Sequence, residues 1–401
     1  MRRGQVQINI VCVIAAAATT LSCASGAADP KAPTSNNART YTATRAASSS
    51  TDRLPKPSSK PSPKLSTLQL AGQRVIYSYR GRTPPASLLQ RIRRGEAAGV
   101  MFFKGNISSR TQIRKVIAEL QKANKQSPVR APLLMMTDQE GGLVRRLSGA
   151  PFLSQKQIGG ASHPVTAASQ AGTGAGQNLR GVGMNVNLAP VLDVYRKHGD
   201  FDDQFQRSYS TNPKTVADLG AAFITAQQHT GVAATGKHFP GLGAAAAKQN
   251  TDMVPVTLHL SANTLRTVDE PPYQAAIGAG IQLIMVSWAT YPSLDPHRPA
   301  GLSPTIVQNE LRKRFGFKGV TITDALEAGG LKAFGSTSRR GVLAAGAGMD
   351  LLLYSAQNVN EGIGGLNALV SALRSGRLNS AAFSASAQRV MALRSSVAST
   401  Y

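Results

Sequence analysis

The sequence predicts an α/β protein: a single (β/α)8 barrel of TIM type, preceded by a signal peptide and a disordered linker. Three observations carry this expectation. Short apolar runs recur eight times after residue 66, segments with helical patterning separate them, and the first 65 residues have a different texture altogether. Eight strands alternating with helices over a span of this size are what such a barrel requires.

The start of the chain reads as an export signal over residues 1–29. Arg2 and Arg3 precede an apolar run from Ile8 to Ala18, and small residues follow. The run is short for a spanning helix and suits the h-region of a signal peptide. Cys23 follows Thr20-Leu21-Ser22, a sequence similar to a bacterial lipoprotein box. Lipidation at Cys23 and ordinary cleavage near Ala24–Ala28 are both open. Residues 30–65 are rich in Ser, Thr, Pro, Ala and Lys. Such a composition buries too little apolar surface to fold, and it reads as an extended tether.

The barrel is expected over residues 66–401. Its runs are Val75–Tyr79, Gly99–Lys104, Leu133–Asp138, Met184–Val194, Val232–His238, Ile281–Trp288, Gly319–Asp324 and Met349–Tyr354. Helical segments include Thr111–Lys125, Pro213–Thr230 and Pro304–Phe315, and an alanine-rich helix over Ser380–Ser395 would complete the barrel. Ser303 can cap the third of these, and Pro304 suits a first helical position. An open doubly wound sheet would announce itself by a glycine-rich loop after its first strand. The glycines at 172, 174 and 176 follow a helical segment instead and read as close helix packing.

Composition narrows the function. The chain has 401 residues and a formal net charge of +25; nine of its 45 Lys/Arg and two of its 20 Asp/Glu lie in residues 1–65, so the body is basic too. A basic surface attracts anionic partners such as acidic cell-wall polymers or a membrane surface. No recognition helix, zinc finger or RNA-binding signature is present, so nucleic acid is not expected. Both cysteines, Cys12 and Cys23, sit near the N-terminus, which leaves the body without a disulfide or a cysteine-ligated metal.

In a barrel, chemistry gathers at the C-terminal ends of the strands. The third run ends in Thr137-Asp138-Gln139-Glu140, the fourth is followed by Arg207-Ser208, the fifth ends in Lys237-His238 and the seventh in Thr323-Asp324. Each alone suits a bland role: an Asp after a strand often caps a helix. Together they place carboxylates, two cations and an imidazole at one rim, without metal-ligand spacing such as HExxH. That set suits a hydroxyl-rich ligand better than a phosphate or a nicotinamide. No cofactor and no metal are expected.

The same stretches resemble a known family. TDQEGGLVRRL, NVNLAPVLDV, Arg207-Ser208-Tyr209, KHFPG at 237–241 and LSPTIVQNELRKRFGFKGVTITDAL are similar, in order, to motifs of family 3 glycoside hydrolases, especially bacterial β-N-acetylhexosaminidases. The likeness spans about residues 66 to 395. It implies a retaining glycoside hydrolase removing terminal β-linked N-acetylglucosamine or a related sugar, with cell-wall fragments as one source. It puts the nucleophile on Asp324, whose pKa nearby Lys or Arg would keep low, and sugar contacts on Asp138, Arg207, Lys237 and His238.

One loop departs from the pattern. Where the hexosaminidases carry a catalytic histidine, residues 241–252 read GLGAAAAKQNTD and hold no histidine. Asp252 falls where that histidine would lie, and a carboxyl can serve as acid/base if burial raises its pKa. Lys248 would oppose that. Trp288, the sole tryptophan, stands at a strand end where it could stack on a sugar or pack at the rim. The weakened acid leaves two other readings open: a catalytically silent sugar-binding barrel, and a β-glycoside phosphorylase whose basic rim holds phosphate. The protein is expected to be exported, monomeric and associated with the wall or membrane surface through its basic tail.

Overall fold

The computed structural model describes residues 65–397. The signal peptide, Cys23 and the linker up to residue 64 lie outside the described residues. No helix among the described residues is long and apolar enough to cross a membrane.

All eight runs form parallel strands: β1 (Val75–Tyr77), β2 (Gly99–Met101), β3 (Leu134–Thr137), β4 (Val186–Asn187), β5 (Ala233–Phe239), β6 (Leu283–Val286), β7 (Val320–Thr323) and β8 (Leu352–Leu353). Each pairs with its sequence neighbour, and β1 pairs with β8 through Val75↔Leu352 and Ile76↔Leu353. A bridge between Ile322 and Leu351 and the Thr323 N–H to Leu351 carbonyl bond bring β7 to β8, so the sheet closes on itself.

Strand periodicity sorts the core. Ile76, Leu134, Met136, Ala233, Leu283, Met285, Val320, Ile322 and Leu353 fill the barrel interior. Their neighbours Val75, Tyr77, Met135, Ala234, Ile284, Val286 and Leu352 pack outward against the helices. Val390 and Leu393 of helix Ser380–Ser396 join the interior cluster. The buried guanidinium of Arg394 satisfies the Ala131 and Pro132 carbonyls there.

The outer helices follow their expected signals. Helix Arg110–Lys125 begins at Ser109, whose hydroxyl accepts the Gln112 N–H, and buries Ile113, Val116, Ile117 and Leu120 on one stripe. Helix Pro213–Gln228 starts with proline behind the Asn212 cap. Ser303 caps Thr305–Arg314 by accepting the Ile306 N–H, although this segment is wound with the wider π spacing. Gly172 and Gly176 let helix Pro164–Arg180 pack closely: a Cβ there would lie 2.3 Å from the Phe223 carbonyl oxygen or 2.1 Å from Thr230 Oγ1.

The fourth run, 184–194, yields only a two-residue strand. Pro190 has no N–H for the ladder. The run stays aligned beyond it, and Val191 bridges Lys237.

Candidate active site

Strand parity aims the rim residues. Leu134 and Met136 face the interior, so Asp138 continues that row; Ala233 leads to Lys237, Ile322 to Asp324, and Leu353 to Ser355. These side chains meet at the C-terminal mouth of the barrel.

At its floor lies an ion-pair network. Lys237 Nζ is 2.9 Å from Asp138 Oδ1 and 2.7 Å from Glu140 Oε1. Arg207 grips Glu140 with two N–H groups, each at 2.9 Å, and reaches Asp202 at 3.1 Å. Burial alone would raise the Asp138 and Glu140 carboxyls, but the cations outweigh it: Lys237 and Arg146 hold Asp138 low, and Arg207 and Lys237 hold Glu140 far below the carboxylate range. Lys237 and Arg207 are held charged in turn, their desolvation offset by these same carboxylates.

Beneath it, His238 faces Asp193. Its Nδ1 is 2.7 Å from Asp193 Oδ2, and its Nε2 is 3.4 Å from Arg207 Nη2. Burial, then Arg207, lowers the imidazole to about 4, so it is neutral near pH 7. Asp193 also accepts the backbone N–H groups of His238 and Leu242. These partners place the ring proton on Nδ1 and leave the Nε2 lone pair toward Arg207. His238, for which the resemblance implies a sugar contact, turns its Nδ1 donor inward to Asp193 and sets its Nε2 against Arg207. Burial raises Asp202 to about 7, with Asp193 beside it adding to the rise. Burial also raises Asp193 to about 6, against the Leu242 and His238 amides.

Ligand atoms of Asp193, Asp202 and His238 lie within 4.8 Å of one another, the one such metal-sized group among the described residues. Arg207 already brings a positive charge to Asp202, and His238 and Leu242 donate to Asp193. The cluster is therefore built for proton and hydrogen-bond exchange rather than for a divalent ion.

Asp324 stands apart from these pairs. Its Oδ1 accepts the Ala325 N–H at 2.7 Å, and among the described residues no salt bridge reaches it. Burial raises its carboxyl and Asp252 raises it further, while His238, the Ala325 amide and Lys237 act against the rise. The expectation of a low pKa is thus corrected: Lys237 is committed to Asp138 and Glu140.

The loop carrying Asp252 is docked by backbone on the turn after β7. Gly329 N–H donates to the Asp252 carbonyl at 2.7 Å, and Gly330 N–H to Thr251 at 3.0 Å. A Cβ on Gly329 would lie 2.2 Å from the Met253 oxygen. Asp252 has an exposed side, yet its carboxyl is ringed by charges. Desolvation raises it; Arg207 and Lys237 lower it, while Glu327 and Asp138 raise it. Asp252, a solvent-exposed residue, and Asp324 therefore lie within each other's electrostatic reach.

Trp288 is corrected as a sugar platform. It is 1% exposed, its indole N–H donates to the Ala325 carbonyl at 2.8 Å, and a Cβ on Gly301 would touch its ring at 2.5 Å. It packs behind Asp324 and steadies the residue next to it.

The sequence reading passed over Glu140, Asp193, Asp202 and Glu327 as site residues. Glu140 was detectable within its motif, two places after Asp138. Asp193 and Asp202 acquire meaning only through partners far along the chain.

The chain matches the model of the Glycosyl hydrolase family 3 N terminal domain over residues 69–393. It is 49% identical over 327 residues to an uncharacterized secreted glycosyl hydrolase of Arthroderma benhamiae, covering 81% of this chain and 92% of that one. A β-hexosaminidase of Stenotrophomonas maltophilia is 33% identical over 263 residues, 64% of this chain and 75% of that one. Among solved structures, a β-N-acetylglucosaminidase from Paenibacillus superimposes with a TM-score of 0.79 at 31% identity, covering 84% of this chain but 64% of that one. A β-N-acetylhexosaminidase from Beutenbergia cavernae gives 0.74 at 30% identity, covering 82% and 99%. A family match along almost the whole barrel, joined to this rim, makes the chain a member of glycosyl hydrolase family 3.

Proposed function

We propose that this protein is a retaining glycoside hydrolase that removes terminal β-linked N-acetylglucosamine, working outside the cytoplasm. The observation that carries the reading is the pair Asp252 and Asp324. Both carboxyls are pushed up by burial, Asp252 lies in the field of Asp324, and among the described residues neither is neutralised by a salt bridge. Two carboxyls in each other's field do not ionise together easily, so one keeps its proton while the other is charged. The Ala325 amide and Lys237 favour the charged form at Asp324.

Asp324 then attacks the anomeric carbon, and the leaving oxygen takes the proton from Asp252. Water cleaves the resulting glycosyl ester, with Asp252 accepting its proton. Asp138, Lys237 and Arg207 hold the sugar hydroxyls, Asp138 through the oxygen not taken by Lys237. The relatives named for β-hexosaminidase and β-N-acetylglucosaminidase activity support this sugar, and the relative called secreted supports the location.

The test is turnover of aryl β-glycosides with different sugars, and of N,N′-diacetylchitobiose, by wild type and Asp324→Asn, with and without phosphate. The expected result is preference for N-acetylglucosamine, no dependence on phosphate, and loss of turnover by at least about three orders of magnitude in the variant. Near-normal rates in Asp324→Asn would remove the nucleophile assignment. Binding without turnover by wild type would leave only a sugar-binding barrel, and a phosphate requirement would make it a phosphorylase.

A further inference from the structure

Glu327 lies outside the roles assigned so far. It follows Asp324 by three residues, on the turn that receives the Asp252 loop. Two residues later, Gly329 donates to the Asp252 carbonyl at 2.7 Å. The Glu327 carboxyl is tied down from the neighbouring strand: Ser355 Oγ donates to Oε1 at 2.6 Å and the Ser355 N–H to Oε2 at 3.2 Å. Ser355 continues the inward row of β8, so it fixes Glu327 at the cleft wall. Among the described residues no cation pairs with Glu327 in a salt bridge. Burial raises the Glu327 carboxyl, and the two Ser355 donors act against that rise and favour the anion.

We propose that Glu327 is a positioning residue: its anionic carboxylate, fixed by Ser355, faces Asp252 and holds the proton on that acid until the leaving oxygen takes it. This rests on Asp252 acting as the acid. The charged groups facing Asp252 are Asp138 at the end of β3, Arg207 after β4, Lys237 on β5, and Asp324 and Glu327 after β7. The two cations oppose protonation of Asp252, but both are already bound to Glu140. Glu327 has no such salt-bridge partner among the described residues; Arg340 lies in its field but is shared with Glu361.

Glu327→Gln keeps an acceptor for Ser355 and removes the charge. Measure kcat/KM from about pH 4 to 9 on N,N′-diacetylchitobiose and on 4-nitrophenyl N-acetyl-β-glucosaminide. For the disaccharide, the alkaline limb should move to lower pH by about one unit, lowering the rate on that limb about tenfold. The nitrophenyl glycoside, whose leaving group needs little protonation, should change less than about twofold. Ser355→Ala should move the same limb in the same direction by less, and Glu327→Asp should restore part of it. An unmoved limb in Glu327→Gln overturns the proposal. So does a loss on both substrates that azide restores, since Glu327 would then itself be the acid/base. Asp252→Asn in the same assays separates the two ideas. If it spares the disaccharide, the assignment of Asp252 fails. If it abolishes disaccharide cleavage while Glu327→Gln moves nothing, only the role of Glu327 fails.

Discussion

Lys237→Met tests whether the floor of the cleft is held by charge. The Lys237 ammonium is almost fully buried and contacts two carboxylates, Asp138 at 2.9 Å and Glu140 at 2.7 Å. Removing one partner of a buried ion pair costs about 3–5 kcal/mol, because the other is left uncompensated. Glu140 keeps both contacts to Arg207, and Asp138 keeps some solvent and Arg146 at 3.8 Å. The loss therefore belongs at the low end, about 3 kcal/mol. For a domain this large that is roughly 6 °C in Tm, at about 2 °C per kcal/mol. The pH dependence carries the sign. Lys237 helps to hold Asp138 below its unfolded value, so this contribution is present above about pH 4 and lost as pH falls through the folded pKa. The variant should be least stable relative to wild type at pH 7 and approach it near pH 3. Denaturant melts at both pH values give the answer. A deficit under about 1 kcal/mol at pH 7, or one that does not shrink in acid, refutes the argument.

Three further variants probe neighbouring features. Trp288→Phe removes the donor to the Ala325 carbonyl and should cost about 1–3 kcal/mol in stability while KM stays within about twofold; a large KM rise with unchanged stability would restore Trp288 as a sugar platform. Gly329→Ala forces a methyl against the Met253 carbonyl and should displace the Asp252 loop, slowing disaccharides more than nitrophenyl glycosides at about 1–3 kcal/mol of stability; equal rates on both classes would detach that loop from the chemistry. Asp202 is raised to about 7 by burial first and Asp193 second, so the folded state keeps a proton that the unfolded chain loses above about pH 4, and stability falls between those values. Asp202→Asn removes that slope, and its stability relative to wild type should improve from pH 4 to 7; a flat difference would mean that Asp202 is charged throughout.

The barrel was legible because its signals are local. Each apolar run needs only its own alternation to become a buried strand, and Gly172 and Gly176 needed only helical spacing to mark a close contact. The rim was legible where parity along one strand suffices, as for Asp138, Lys237 and Asp324. The rest depends on partners that spacing does not reveal. Arg207 meets Glu140 across 67 residues, and His238 meets Asp193 across 45. Those meetings settle where the donors point, and so His238 faces inward although its motif suggested a free sugar contact. Trp288 stayed open between two roles for a similar reason: the space that buries its ring is created by Gly301, on another segment. Asp324 misled because counting nearby cations ignores which carboxylates already hold them.

That allocation of cations explains the chemistry the cleft can perform. Five carboxyls surround it, and two cations, Lys237 and Arg207, bind two of them tightly. Asp138 and Glu140 are thereby fixed as anions and serve as hydrogen-bond acceptors at any ordinary pH. Among the described residues Asp252, Asp324 and Glu327 receive no salt bridge, Asp252 shares a field with each of the other two, and burial raises all three. Had Lys237 paired with Asp324 instead, that carboxyl would be ionised but less nucleophilic, and its charge would no longer help Asp252 to stay protonated. By spending its cations on the floor, the barrel leaves the reacting carboxyls to divide their protons among themselves. A hydrolase that needs a bare carboxylate and a protonated one at the same pH requires that division. The local difference is small: Asp324 has the Ala325 amide beside it, and Asp252 has Glu327.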